Sequence, residues 1–382
     1  MTAEFQEIGH SGGKIEIRVM TDLASGRKSY QLRYTHCRPT PSTLIELYAL
    51  PQGMALEPVN AVGIGGAIPP PSVPGAWLVM ITSDSTGQFG HLCPRCEGYW
   101  RSGPWPAICP YCRFEAPPIK FLSDAQNAFI RQYCARMCAA LDSDEDGVIE
   151  IDMDAVADAV GAGTPKPAFY VSEQSQQHKF NCTACGAFND VLGRYAYCST
   201  CGTRNDLAIF RDESIPAIRE TLNASNRAED AVRSAVSAFD SLAGQYAKQL
   251  GTLIPMTRRR LDRLRKRFHD FDEAKETFKA FFDIDIGRDV KSEDLKFIAL
   301  EFHRRHVFEH NGGEADEVYV RESGDTSVRL KQVIRETPAS AHRLLDLLGR
   351  VAKNLHDGFH SIIPVRSEPI ELTGKRGELG RE

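Results

Sequence analysis

Two stretches decide the fold of this chain: CPRCEGYWRSGPWPAICPYC at residues 93–112 and CTACGAFNDVLGRYAYCSTC at residues 182–201. Each contains two Cys-x-x-Cys pairs separated by twelve residues, and the second stretch follows the first by 89 positions. A two-residue gap lets both thiolates of a tight turn face one ion, and four thiolates complete the tetrahedral shell that Zn²⁺ prefers. The repeated spacing therefore predicts two structural zinc ribbons.

These two ribbons use eight of the eleven cysteines as predicted metal ligands: Cys93, Cys96, Cys109, Cys112, Cys182, Cys185, Cys198 and Cys201. Four sulfurs per ion leave no open coordination position, so we expect the metal to have no catalytic role. Gly98, Gly186 and Gly202 follow cysteines and can supply the positive φ that such turns need.

A disulfide framework is the alternative interpretation of these cysteines. The N-terminal sequence MTAEFQEIGHSGG lacks the apolar segment of a signal peptide, so we expect a cytoplasmic protein in a reducing compartment. Reducing conditions favour metal binding over disulfides. Of the remaining cysteines, Cys134 and Cys138 share one face of a predicted helix and are expected to be packing residues, and Cys37 stands alone.

Composition limits the classes of protein. The chain has 382 residues, of which 42% are apolar and 25% charged, enough for two or three domains with buried cores. A net charge of −5 excludes a uniformly basic nucleic-acid coat, although a local basic site is compatible with it. No uncharged apolar run is long enough to span a bilayer, so we expect no membrane association.

The predicted fold is multidomain α+β, with a β-rich N-terminal part that carries both four-cysteine zinc ribbons and an all-α bundle after it. We expect strands at residues 14–20, 29–36, 43–50 and 76–82 and a helix at 123–141. The expected domains are 1–120, 121–212 and 213–365, followed by a flexible tail at 366–382.

An acidic segment follows the predicted helix at 123–141. Asp142, Asp144, Asp146 and Gly147 imitate the start of a calcium-binding loop, but Met153 stands where the bidentate glutamate of such a loop is required. We therefore expect a solvated acidic turn, followed by a strand.

Helical periodicity dominates from about residue 213. One apolar seam is formed by Val232, Val236, Phe239, Ala243, Tyr246, Leu250 and Leu253. Ser292 is a predicted N-cap for a helix over 293–310, and Thr337 with Pro338 begins another. The last third therefore predicts a helical bundle.

One predicted helix ends as EFHRRHVFEHNGG, residues 301–313. Its apolar stripe of Leu295, Ile298 and Phe302, continued in steps of four, reaches His306 and His310, so both imidazoles are expected on a core-facing or interface-facing ridge. The alternative is a polar helix end whose cations complement the helix dipole.

The motif Arg305-His306-Val-Phe-Glu-His310 resembles the signature of the HEPN superfamily, in which four to six residues separate an arginine from a histidine. The resemblance covers residues 213–362. It implies a metal-independent endoribonuclease with Arg305, His310 and His306 as catalytic residues. Such enzymes let the RNA 2′-OH attack its own phosphorus, and they usually serve as toxins or in antiphage defence. The resemblance therefore suggests that the ribbon half regulates the nuclease.

Arg305 and His310 are five positions apart in the sequence. That separation is about 140° around an ideal helix, so the two side chains diverge within one helix. Active HEPN proteins bring two motifs together in a dimer. We therefore expect a homodimer with a composite active site, or a higher oligomer.

The predicted RNA-binding residues are Arg304, Asn311, Arg258, Arg259, Arg263 and Lys266. The last four belong to a basic run that can neutralise RNA phosphates. A solvated helix face is an equally good interpretation of that run.

Two other functions are compatible with the sequence. His306-Val-Phe-Glu309-His310 is also H-x-x-E-H, the inverted zinc-protease pattern, with two histidine ligands and Glu309 as base. That class needs a further acidic ligand within an α/β domain, whereas the segment after His310 is predicted to contain helix followed by a polar tail. The other alternative is a non-enzymatic zinc-ribbon adaptor whose helical domain only dimerises or binds nucleic acid.

Overall fold

The structure is a computed structural model that describes residue 8 and residues 13–35, 43–59, 68–83, 87–142, 146–161, 177–264 and 268–379. It divides into two compact units, Met1–Gly202 with Arg366–Glu382, and Thr203–Val365. The first two predicted domains therefore form one unit, and the boundary with the helical unit falls at residue 203 instead of 213. Cys37, Asp144 and Lys266 lie outside the described residues.

The first unit begins with an antiparallel sheet in the order β2-β1-β8, formed by β1 (Lys14–Thr21), β2 (Lys28–Thr35) and β8 (Gly147–Asp152). Ile15, Ile17 and Val19 alternate along β1 and are buried, as the sequence predicts. The strand expected after the acidic turn is β8. At the turn, the Thr21 hydroxyl donates to Asp146 over 2.7 Å.

A second sheet has the order β4-β3-β5, from β3 (Leu44–Ala49), β4 (Ala55–Pro58) and β5 (Trp77–Thr82). Two helices accompany it, α1 (Asp124–Leu141) and α2 (Met153–Gly161). A capping box between Ser123 and Gln126 fixes the start of α1, because each side chain bonds to the other's backbone N–H.

The two sheets and both helices share one apolar core, which includes Ile17, Ile45, Phe129 and the buried Cys134. Burial raises the pKa of the Cys134 thiol to about 11. The Cys138 thiol donates to the Pro51 carbonyl over 3.7 Å. Both cysteines are thus packing residues in the first unit.

The ribbons form a third sheet in the order β6-β7-β10-β9, from β6 (Phe89–Leu92), β7 (Tyr99–Ser102), β9 (Gln177–Asn181) and β10 (Phe188–Leu192). Strand β7 of the first ribbon pairs with β10 of the second, which places Arg101 opposite Asp190. These two residues are 89 positions apart and so are equivalent in the two repeats. The two ribbons therefore pair about a local twofold axis.

Backbone hydrogen bonds repeat this symmetry outside the strands. The Ile108 N–H donates to the Ser199 carbonyl over 3.0 Å, and the Tyr197 N–H donates to the Pro110 carbonyl over 2.9 Å. Each bond is the other's equivalent under the 89-residue offset. The pairing of the ribbons is thus reciprocal, as in a dimer of identical subunits.

The flexible tail predicted at 366–382 is corrected by the structure, in which α10 (Ser367–Leu379) packs on the second ribbon. The Arg366 N–H donates to the Cys201 carbonyl and the Thr373 hydroxyl to the Cys185 carbonyl, both over 2.8 Å. Ile370 packs against the second set of cysteines. Because these partners lie far away in sequence, local composition could not reveal them.

The second unit is helical. After two short helical turns, Asp206–Ala208 and Ile209–Ser214, its helices are α3 (Ile215–Ser225), α4 (Ala228–Leu250), α5 (Arg258–Leu264), α6 (Phe271–Phe282), α7 (Ser292–His310), α8 (Glu317–Glu322) and α9 (Pro338–Ile362). Lys291, and not Ser292, occupies the N-cap position of α7. The predicted seam of α4 is buried as far as Leu250, whereas Leu253 lies beyond the helix end and is exposed.

Aromatic contacts hold α7 against the bundle. The Phe302 ring lies 5.9 Å from Phe239 on α4 and 5.6 Å from Phe271 on α6, measured between centroids. Tyr246 packs against Phe359 at 4.9 Å, and its hydroxyl lies 2.7 Å from Nδ1 of His356. The Phe302 contacts thus anchor the helix that ends in the Arg-His motif, whereas the Tyr246 contacts join α4 to α9.

His356 makes the stability of the helical unit sensitive to acid. Burial, and then the charge of His360, lower the pKa of His356 to about 3. The unfolded chain, with a histidine pKa of about 6.5, then binds a proton that the folded chain does not. The contribution of His356 to the free energy of unfolding is therefore complete above a pH of about 6.5. It decreases by about 1.4 kcal/mol per pH unit as the pH falls toward 3.

We expect His356→Gln to have a shallower pH dependence between pH 6 and 4 than the wild-type protein. The measurement is urea unfolding at several pH values, with hydrogen exchange in α4 and α9 reporting on this unit. Equal slopes for the variant and the wild type would contradict the prediction.

Candidate functional site

Two groups of four cysteines can each hold a metal ion, and within each group all sulfurs lie within 4.8 Å of one another. In the first ribbon the Sγ atoms of Cys93 and Cys112 are 3.7 Å apart, and those of Cys96 and Cys109 are 3.6 Å apart. A tetrahedron with metal–sulfur bonds of about 2.3 Å has edges of about 3.8 Å. The first cluster therefore fits one tetrahedral metal ion.

The second ribbon repeats this geometry. The Cys182–Cys201 and Cys185–Cys198 sulfur pairs are both 3.6 Å apart. The Asn189 amide and the Thr200 N–H donate to the Cys198 sulfur over 3.6 and 3.4 Å. Such donors stabilise a thiolate and orient it toward a metal.

The turns of the two ribbons use different residues for the same conformation. Gly186 and Gly202 have φ values of 71° and 81°, as the sequence predicts. Their equivalents in the first ribbon are Glu97 and Arg113, both with φ of 57°. Gly98 instead makes room for Tyr111, because a Cβ there would lie 2.4 Å from that ring.

The exposure of the two clusters differs. All four cysteines of the second cluster are buried, whereas Cys96 of the first is exposed and Cys112 is partly so. The first cluster should therefore be open to solvent-borne chelators and the second protected.

In the helical unit, His306 and His310 form a pair at the end of α7, with ring centroids 4.7 Å apart. Both are exposed, because the buried face of α7 passes from Phe302 to Val307 and Phe308. Of the two expectations for this ridge, the core-facing one is therefore wrong, and the interface-facing one stays a prediction, since the pair faces solvent in the single chain.

A cleft of about 260 Å³ adjoins this pair. Its lining includes His269, Phe302, His303, His306 and Val318. Desolvation, and then the charge of His310, lower the pKa of His306, an effect that Asp316 opposes. The His306 imidazole is therefore mostly neutral at neutral pH and can accept a proton.

Arg305 precedes this pair and is partly buried. Its Nε atom is buried and lacks a hydrogen-bond partner within the described residues. A buried donor without a partner is costly, and because Nε is closed to solvent, an anion would meet the exposed part of the guanidinium instead.

Arg304, predicted to bind RNA, is instead held inside the unit. Its guanidinium contacts Glu301 at 3.3 Å and Asp325 at 3.0 Å, and it also pairs with Glu336. Desolvation, followed by the charge of Glu336, raises the pKa of Glu301 to about 8. Arg304 thereby ties the segment after α7 back onto the helix, a role that sequence reasoning missed because its partners are distant in sequence.

The Asn311 side chain also has an internal partner, since its amide donates to Asp316 over 2.7 Å. Asp316 in turn caps α8 by accepting from the Tyr319 N–H over 2.7 Å. Asn311 thus shapes the turn between α7 and α8.

The basic run lies around α5, where Arg258 and Arg259 are exposed. The backbone of Arg263 is part of α5, but its side chain lies outside the description, as does Lys266. The structure therefore describes only the first part of the predicted RNA-binding run.

The H-x-x-E-H interpretation needs a third metal ligand near His306 and His310. Among the described residues, only the two cysteine clusters bring three or more such ligand atoms together, and Glu309 is exposed. The ligand geometry of a zinc protease is therefore not found in the described part of the chain.

In comparisons with known proteins, no protein family, curated protein or solved structure matches this chain. Within the described residues, no helix is both long and apolar enough to cross a membrane.

We expect a chelator to empty the first cluster before the second, because Cys96 is exposed and the second cluster lies beneath α10. The test is pulsed alkylation with mass spectrometry during exposure to a zinc chelator. Peptides with Cys93–Cys112 should be labelled before those with Cys182–Cys201, whereas urea-unfolded protein should be labelled uniformly. Simultaneous labelling of the folded protein, or labelling of the second cluster first, would overturn this prediction.

Proposed function

We propose that the helical unit is a metal-independent endoribonuclease of the HEPN type. The observation that supports it best is the solvent-facing pair of His306 and His310, with centroids 4.7 Å apart, directly after the partly exposed Arg305. Two imidazoles and one guanidinium suffice for phosphodiester transfer, since the substrate's 2′-OH is the nucleophile.

The reaction follows from the chemistry of these groups. His306, neutral at neutral pH, accepts the proton of the 2′-OH as its oxygen bonds to phosphorus. The bond from phosphorus to the 5′-oxygen breaks, and His310 donates a proton to that oxygen. The pair shares this work and exchanges roles in the reverse direction. Arg305 stabilises the charge on the phosphoryl oxygens. The products are a 2′,3′-cyclic phosphate and a 5′-OH.

A homodimer completes the site in this proposal. Arg305 and His310 lie about 140° apart around α7, so the two side chains of one copy cannot both reach the same phosphate. Exposure of His306 and His310 leaves them available to a second copy. Two motifs facing each other across one cleft would supply arginine and histidine from different subunits, in a dimer or a higher oligomer.

We further propose that both metal ions are Zn²⁺, since four thiolates in a tetrahedron suit this ion. The residues that would hold it are the eight ribbon cysteines, and its contribution is to staple the sheet. In this proposal the first unit regulates the nuclease of a cytoplasmic toxin or antiphage effector, by the HEPN resemblance.

The test is cleavage of fluorescent RNA by the full chain with both metals bound. We expect Arg305→Ala and His310→Ala each to reduce the cleavage rate by about 100-fold or more. Lys296→Ala, an exposed position on the same helix, should cleave normally. Activity should survive EDTA while the cysteines remain metal-bound, and the products should carry cyclic phosphates.

Equal cleavage by the wild type and the Arg305→Ala/His310→Ala double variant would refute the enzyme and favour the adaptor alternative. A chelator could instead remove a metal ion from His306 and His310 while the cysteine clusters keep theirs. Loss of activity in that case would favour the H-x-x-E-H interpretation. Protein that cleaves only as a dimer, with activity restored by mixing the two inactive single variants, would support the composite site.

A further inference from the structure

The cleft beside His306 has features that the proposed reaction leaves unused. Its volume is about 260 Å³. That volume lies just below the roughly 300–1,000 Å³ of pockets that hold drug-sized ligands. The cleft lies between the start of α6, one side of α7 and the short helix α8. A space of this size suits one flat ring system and not a run of nucleotides.

The inner surfaces of the cleft suit an aromatic ring. The buried Phe302 and Val307 line it, and His303 and His306 add two imidazoles from α7. The exposed Val318 on α8 forms its other side. RNA-binding proteins capture splayed-out bases by stacking them on flat aromatic or histidine side chains and on apolar surface.

Carboxylates and imidazoles share the polar lining. Asp272 and Glu273 line the cleft from α6, and Glu322 lines it from α8. Asp272 is paired with Lys275 at 2.9 Å and Glu322 with Arg321 at 2.8 Å, each through one carboxylate oxygen, so the second oxygen of each can still accept a hydrogen bond. A carboxylate only accepts hydrogen bonds, and the exocyclic amino groups of bases are donors that acidic side chains recognise.

The cleft and the catalytic pair meet at one residue. His306 lines the cleft, and its ring lies 4.7 Å from that of His310. A base held against His306 would therefore keep its own ribose and 2′-OH beside the histidine pair. In this arrangement the cleft holds the base, and Arg305 contacts the phosphate.

We propose that this cleft binds the nucleobase next to the cleaved phosphate and selects bases with an exocyclic amino group. The inference rests on the proposed function in taking RNA as the ligand. Cytosine and uracil provide the sharpest comparison, since they have nearly the same shape but only cytosine carries the amino group. The cleft should prefer cytosine, because the uracil 4-oxygen would face carboxylates.

The experiment uses short fluorescent RNAs that differ at one central position, which is cytosine or uracil. That nucleotide is 2′-deoxy in both, so neither RNA can be cleaved there, and binding to the full chain is measured by anisotropy. We expect about tenfold tighter binding of the cytosine RNA, as for one good charged hydrogen bond.

Glu273→Gln and Glu322→Gln should each reduce this ratio to threefold or less, while Glu276→Gln, an exposed position on α6 outside the cleft, should retain it. Circular dichroism confirms that each variant is folded. Equal binding of the two RNAs by the wild type, or a ratio that neither cleft variant changes, would overturn the proposal.

A second measurement separates this proposal from the proposed function. The same RNAs with a 2′-OH at the central position are tested for cleavage. Selective binding without cleavage would refute the ribonuclease and retain the base site, whereas cleavage with equal rates and equal binding would refute the base site and retain the ribonuclease.

Discussion

The first unit depends on one constraint: in each ribbon, four cysteine sulfurs lie within 4.8 Å of one another. Thiolates at this distance repel, and thiols gain little from one another, so a bound cation is what makes the arrangement stable. The apolar cluster beneath the first ribbon includes Trp100, Phe121 and two of its buried cysteines. Metal bound at these clusters would therefore contribute directly to folding of this sheet, on whose second ribbon α10 packs.

The pairing of the two ribbons also constrains which residues can stand where the ribbons meet. Arg101 and Asp190 occupy equivalent positions of the two repeats and meet at 3.2 Å, with side chains 9% and 0% exposed. Two identical repeats would place like charges against each other at this buried position, at considerable cost. Because the repeats are joined in one chain, they can differ there and form an ion pair. The pair favours β7–β10 pairing between the two ribbons over pairing of either ribbon with its own copy.

Sequence patterns that span a few residues predicted much of this structure. The predictions that differ from the structure concern residues whose contacts are distant in the sequence. Cysteine spacing specified both metal clusters, and alternation specified β1, because each signal is complete within a few residues. Arg304 resembled an RNA ligand, but its partners Asp325 and Glu336 lie far along the chain. The helix α10 resembled a tail for the same reason. The buried face of α7 passes from Phe302 to Val307 and Phe308 and leaves His306 exposed, which a strict step of four residues does not predict.

In the function proposed for this protein, metal ions would stabilise the paired ribbon sheet of the first unit, and the ribonuclease chemistry would take place at the C-terminal end of α7 in the second. Metal at both cysteine clusters is the condition on which the rest of the first unit depends. Zinc X-ray absorption together with a metal count on purified, reduced protein tests for it. We expect two zinc ions per chain, each with four sulfur neighbours at about 2.3 Å. One ion or none, oxygen or nitrogen in the first shell, or disulfides among the eight cysteines would contradict it.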